Sequence, residues 1–137
     1  MGRSLVIAKP DAVERGLVGE IVTRFERRGL RLAAAKLVTI GPELAARHYA
    51  EHVGKSFYDE LVAFIGRSPS LVMVVEGPED TWKVVRAMIG ATDPRQAAPG
   101  TIRGDLALEV TENLVHGSDS EESARREISV FFPELAG

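Results

Sequence analysis

Leu71-Val72-Met73-Val74-Val75 is a continuous apolar run closed by Gly77-Pro78. Its length and its β-branched residues make it the clearest strand of the chain. Asp80 follows at a position suited to capping a helix over Thr81 to Ile89. Working back towards the N-terminus, Asp59 to Ile65 repeats a helical pattern through Leu61, Val62 and Ile65. Pro42 to Glu51 reads as a helix start and body, and Leu30 to Ile40 contains a second strand. Between Gly19 and Arg28, Ile21, Val22 and Phe25 recur at helical spacing, and Gly29 stops the helix. Leu5-Val6-Ile7-Ala8 is a second continuous apolar run, a buried central strand ended by Pro10.

Working forward, Asp93 to Asp105 is rich in Gly and Pro with little periodicity, so a long loop is expected. Leu114-Val115-His116 is a brief strand. Ser118-Asp119-Ser120-Glu121-Glu122 opens a capped helix with Ala124, Ile128 and Phe131 on one face. This alternation predicts a sheet covered by helices. Two strand-helix-strand units point to an α+β, ferredoxin-like βαββαβ sandwich with a four-stranded antiparallel sheet.

The 137 residues suit one domain, 1–137, able to bury a core without staples. Hydrophobic residues make up 45% and charged residues 27%, as in an ordinary globular protein. The absence of cysteine removes disulfides, thiolate metal sites and thiol catalysis. No stretch approaches the roughly 20 apolar residues of a membrane span, and Lys9-Pro10-Asp11 interrupts any signal-peptide pattern. A cytoplasmic protein without membrane attachment is expected. A net charge of −3 supplies no global attraction for nucleic acid, so an anion site must be a local cluster of cations.

Gly54-Lys55-Ser56 resembles the end of a P-loop, but Tyr49 replaces the required earlier glycine and no strand precedes it. Gly100 and Gly104 form a G-x-x-x-G that in such a chain reads as a tight loop. His48 and His52 are one helical turn apart without the internal glutamate of a zinc-protease helix, which favours a polar helix face over a zinc site. His116 differs, because it ends a strand just before a helix start, where free backbone N–H groups suit phosphate. A neutral imidazole is a competent nucleophile once a neighbour fixes its tautomer, and Ser118 and Glu127 are the candidates to do so. On local context alone, an ordinary junction histidine fits better. Lys9, Arg86 and Arg103 each read singly as solvated charges, but together they could converge on one polyphosphate.

Six stretches in order carry a resemblance. They are K-P-D at Lys9 to Asp11, R-G-L-V-G-E-I at Arg15 to Ile21, H-Y-A-E-H at His48 to His52, A-T-D-P at Ala91 to Pro94, P-G-T-I-R-G-D at Pro99 to Asp105, and N-L-V-H-G-S-D-S at Asn113 to Ser120. Across essentially its whole length the chain resembles the nucleoside diphosphate kinases. The resemblance implies a ping-pong reaction in which His116 is phosphorylated on Nδ1, supported by Ser118 and Glu127. It implies that Lys9, Tyr49, Arg86, Thr92 and Arg103 hold phosphates, and that Asn113 and Lys9 reach the sugar hydroxyls. The resemblance also implies that Phe57 stacks on the base with Val110 opposite, and that Leu61 belongs to the same nucleotide-binding set. Stacking tolerates any base, which fits broad specificity. Mg²⁺ arrives on the phosphates of nucleoside di- and triphosphates rather than in a protein cage. The family is built as hexamers or tetramers of dimers.

Departures from the family pattern are Ser68-Pro69-Ser70 before the central strand, Ala12 after K-P-D, and Ala91 before the A-T-D-P threonine. The chain stops at Gly137 without the longer tail of many eukaryotic members, which leaves hexamer against tetramer open. A catalytically silent binding module is disfavoured by the intact set of His116, Lys9, Arg86, Arg103, Asn113 and Glu127. An RNA-binding module is disfavoured by the missing strand aromatics and the negative charge.

Overall fold

The structure, a computed structural model, describes residues 1–135. Four strands, β1 (Gly2–Ala8), β2 (Arg31–Val38), β3 (Ser70–Gly77) and β4 (Val115–Gly117), form one antiparallel sheet in the order β2-β3-β1-β4. Between them run α1 (Pro10–Glu14), α2 (Val18–Arg27), α3 (Pro42–His48), α4 (Tyr58–Gly66), α5 (Thr81–Ile89) and α6 (Ile102–Leu106), with α7 (Glu121–Phe131) after β4. This is the expected α+β sandwich.

The two continuous apolar runs are the two inner strands. β3 lies between β2 and β1, and β1 lies between β3 and β4. Side chains alternate across a strand, so Leu5, Ile7, Val72 and Val74 enter one core while Val6, Ala8, Met73 and Val75 enter another. Helices cover both faces, which leaves neither set a reason to be polar. The first core is completed by Ala45, Ile65, Ile128 and Phe131, and the second by Ile21, Phe25, Val85 and Ile89.

The expected boundaries shift where chain chemistry is non-local. The segment 93–105 is not a plain loop, because it contains a 3₁₀ turn at Pro94–Gln96 and the short helix α6. Thr101 caps α6 by accepting from Gly104 N at 3.0 Å. The helix expected over Pro42 to Glu51 ends at His48 and continues as a 3₁₀ turn, Ala50–His52. Asp80 stands at the N-cap of α5 but makes no side-chain cap bond, and Thr81 Oγ1 bonds to the Pro78 carbonyl instead. Ser120 does cap α7, accepting from Ser123 N at 2.9 Å.

β4 begins at Val115 rather than Leu114. Leu114 has φ of +72°, and Val115 N bonds back to Asn113 O at 2.8 Å, closing a three-residue turn just before the strand. A branched side chain in the left-handed region is strained, and such strain gathers at functional sites. Asp11 holds the turn, since its Oδ2 accepts from Leu114 N at 2.9 Å while Leu114 O accepts from Lys9 N at 2.8 Å.

Candidate active site

β4 places His116 opposite Ile7 of β1, and α7 returns Glu127 to it. Glu127 Oε1 is 2.7 Å from His116 Nε2. A buried carboxylate at that distance holds the ring proton on Nε2, which leaves the lone pair on Nδ1. Ser118 is linked to His116 through Glu127. Its hydroxyl donates to Glu127 Oε1 at 3.0 Å and accepts from Leu5 N at 3.1 Å, so it orients the carboxylate from the sheet. The His116 side chain keeps 28% exposure against 6% for Glu127, so the histidine alone of the pair is open to a ligand.

Of the three expected cations, Arg86 lines the His116 cavity, while Lys9 and Arg103 lie outside its lining but close enough to act electrostatically on each other. Arg103 is buried and donates from Nε to Asn113 O at 3.2 Å, from Nη1 to Gly90 O at 3.1 Å and from Nη2 to Val115 O at 2.6 Å. Arg86 Nη1 donates to Gly117 O at 3.3 Å. The guanidiniums thus brace the carbonyls of Val115 and Gly117 in β4 and of Asn113 just before it, where the Asn113 oxygen also accepts from Val115 N. Burial, and secondarily the neighbouring Arg86, pushes Arg103 down to about 10, where it remains charged at neutral pH.

Lys9 Nζ donates to Asn113 Oδ1 at 2.5 Å, and Asn113 Nδ2 donates to Thr92 O at 2.9 Å. The chain is therefore clamped across K-P-D, A-T-D-P and N-L-V-H in one step. Burial drives the Lys9 ammonium down to about 8; Asp11 opposes this fall and Arg103 adds to it.

Tyr49, Arg86, His116 and Glu127 line one cavity of about 210 Å³, together with His48 and Arg126. Burial, and the Glu127 carboxylate, raise the Tyr49 hydroxyl to about 12, so it stays a hydrogen-bond donor. Phe57 and Val110 are exposed, and the Phe57 ring packs on His52 with centroids 5.4 Å apart. Leu61 sits one helical turn after Phe57, half-buried, and the Thr92 side chain is exposed.

Two residues around the site carry roles that the sequence reading did not assign. Asp11 fixes the strained turn, a role the K-P-D motif could have suggested. Arg126 donates to the Arg47 and His48 carbonyls and comes within 3.7 Å of Glu127 Oε2. Nothing in its helical spacing marks it.

An imidazole tethered through one nitrogen, open at the other and flanked by guanidinium and phenol groups defines a phosphoryl-transfer site on a ferredoxin-like sheet. The sequence profile of the family Nucleoside diphosphate kinase matches residues 2–136. The nucleoside diphosphate kinase of Thermomicrobium roseum is 57% identical over 134 residues, which span 98% of this chain and 89% of that protein. The halophilic nucleoside diphosphate kinase of Halobacterium salinarum, solved in complex with CDP, superposes with a TM-score of 0.91 at 51% identity. That match covers 95% of this chain and 86% of the solved one. A nucleoside diphosphate kinase family protein from Babesia bovis gives a TM-score of 0.94 at 43% identity, over 99% and 91% of the two chains. The chain belongs to the nucleoside diphosphate kinase family. It is an enzyme that transfers phosphate between nucleotides. Among the described residues, no helix is long and apolar enough to cross a membrane.

Proposed function

We propose that His116 carries the phosphoryl group in a ping-pong cycle within one domain spanning 1–137. The observation that carries this reading is the 2.7 Å contact between His116 Nε2 and Glu127, which leaves Nδ1 as the free nucleophile. The Nδ1 lone pair attacks the γ-phosphorus of a nucleoside triphosphate. An N–P bond forms as the bond to the β,γ-bridging oxygen breaks, and the diphosphate leaves with that electron pair. Glu127, held by Ser118, stabilises the positive charge that the ring gains. In the second half, a terminal phosphate oxygen of another diphosphate attacks the phosphorus, and the electron pair returns to Nδ1.

Lys9, Tyr49, Arg86, Thr92 and Arg103 neutralise and orient the phosphates, while Asn113 and Lys9 meet the sugar. Phe57, Leu61 and Val110 form an apolar clamp on the base without reading its edges, so base specificity is broad. The donor set fits a nucleotide-borne Mg²⁺. The one ligand cluster of histidine and carboxylate groups among the described residues is rich in imidazole, whereas Mg²⁺ prefers an oxygen cage. Mg²⁺ bound to the phosphates would offset their charge and orient them. The enzyme works in the cytoplasm as a homo-oligomer, either a hexamer or a tetramer, built from dimers.

Incubation with γ-labelled ATP tests the proposal. Acid-labile label is expected on the wild-type chain and absent from His116→Ala. An unlabelled wild type, or an equally labelled variant, overturns it.

A further inference from the structure

Two imidazole nitrogens of the cavity residues, His48 Nδ1 and His52 Nδ1, are buried without a hydrogen-bond partner, and the transfer steps use neither. His48 is buried, and its Nδ1 has no hydrogen-bond partner. A buried polar nitrogen without a partner carries a desolvation cost and calls for an explanation. The His48 ring stands edge-on to His116 at 4.9 Å between centroids. One donor atom from each of His48, His116 and Glu127 lies within 4.8 Å of the others.

We propose that His48, His116 and Glu127 form an inhibitory site for a borderline divalent cation of the Zn²⁺ type, which silences the nucleophile when no nucleotide is bound. This rests on the reading of His116 as phosphoryl carrier. Two imidazoles and one carboxylate, with water in an open fourth position, are a ligand set that zinc accepts. Zinc bonds of about 2.0–2.1 Å need donors a little over 3 Å apart. Modest ring tilts close the His48 gap, and a small separation of His116 from Glu127 admits the ion.

The charges facing the site permit a cation. Arg86 and Arg126 line the cavity, but Glu51, Asp119 and Glu127 line it too. Lys9 acts on His48 from outside that lining. Coordination through His116 Nε2 lets Glu127 move from its hydrogen bond to the ion, and the ring proton that Nε2 gives up moves to Nδ1. A protonated Nδ1 has no lone pair for attack, so phosphorylation is blocked. Mg²⁺, which seeks hard oxygen ligands, leaves the site to zinc.

Zn²⁺ titrated into nucleotide-free protein against a chromophoric chelator tests the site without any phosphoryl transfer. One equivalent per chain should bind in excess Mg²⁺, and His48→Phe should weaken it by about tenfold or more. His48→Gln, with its fold verified by circular dichroism, supplies the same comparison if the ring variant does not fold. Co²⁺ in the wild type should show the intense visible bands of a tetrahedral centre. Zn²⁺ added before ATP should prevent labelling of the wild type and spare His48→Phe. Absence of stoichiometric binding, or binding indifferent to both His48 variants, overturns the proposal and leaves the kinase reading intact. Zinc binding without any labelling in zinc-free buffer overturns that reading and retains the metal site.

Discussion

Strand β3 and the segment from Gly90 to Gly117 obey opposite rules. In β3, each side chain from Val72 to Val75 is buried in one of two apolar cores, and its neighbours are interchangeable hydrocarbon. In the second segment, order comes from single polar contacts with distant residues. Arg103 binds three carbonyls, Asn113 bridges Lys9 and Thr92, and Asp11 holds Leu114. Glycine is required there by close approach. A Cβ at Gly104 would stand 2.0 Å from the Ala98 carbonyl oxygen, and Gly90 has φ of +92° with Thr101 Oγ1 at 2.6 Å from any Cβ. Burial sets the stability of the first region, while the second trades backbone strain for a placed histidine.

The contrast is broken most strongly by a core truncation. Ile7→Ala, on the strand facing His116, should cost about 2–5 kcal/mol of unfolding free energy. Denaturant titration measures this. The KM values of the folded fraction should be unchanged, and a KM change of its own would mean that the sheet and site are not separable. Glu127→Gln reverses the pattern. Stability should shift little, but kcat should fall by about a hundredfold, because the imidazole loses the charge that opposes its own. Steady-state kinetics with paired nucleotides read this out. Ser118→Ala should give a smaller fall, about tenfold in kcat, since the hydroxyl acts only through Glu127. If it matched Glu127→Gln, the hydroxyl would have to act on His116 directly.

The smallest effect is a pH slope. Lys9 is lowered from 10.5 to about 8 in the folded chain, so the unfolded chain binds its proton more tightly. Between those values the unfolded state holds more protons, and stability should rise with pH. Over the same range Lys9 loses the charge proposed to meet phosphate, so kcat/KM for nucleotide should fall above about pH 8. Lys9→Met should remove both slopes, as urea titrations and initial rates across pH 7–10 would detect.

The same contrast explains what could be read from the sequence. β1 and β3 were legible because covering both faces of a strand writes a continuous apolar run. α2 was legible because Ile21 and Phe25 alone of its residues are buried. α6 was not, because a five-residue helix capped by Thr101 carries too few apolar positions to show a period. The turn at Leu114 was hidden for a different reason. Leucine disfavours positive φ, and the compensating Asp11 lies 103 positions away. Of the site, His116, Lys9, Arg86, Arg103, Asn113 and Glu127 were found as a motif set. Their division of labour was not. Arg103 acts as a strand staple and Ser118 as a support one step removed, and both follow from folding geometry.

A covalent carrier would separate the two half-reactions. The ADP released when enzyme and ATP are mixed with no acceptor diphosphate measures that separation. One ADP per chain in the first turnover is expected, followed by GTP formation when GDP is added after removal of ATP. If ADP appears only when GDP is present, the transfer is direct between two bound nucleotides, and His116 is not a carrier.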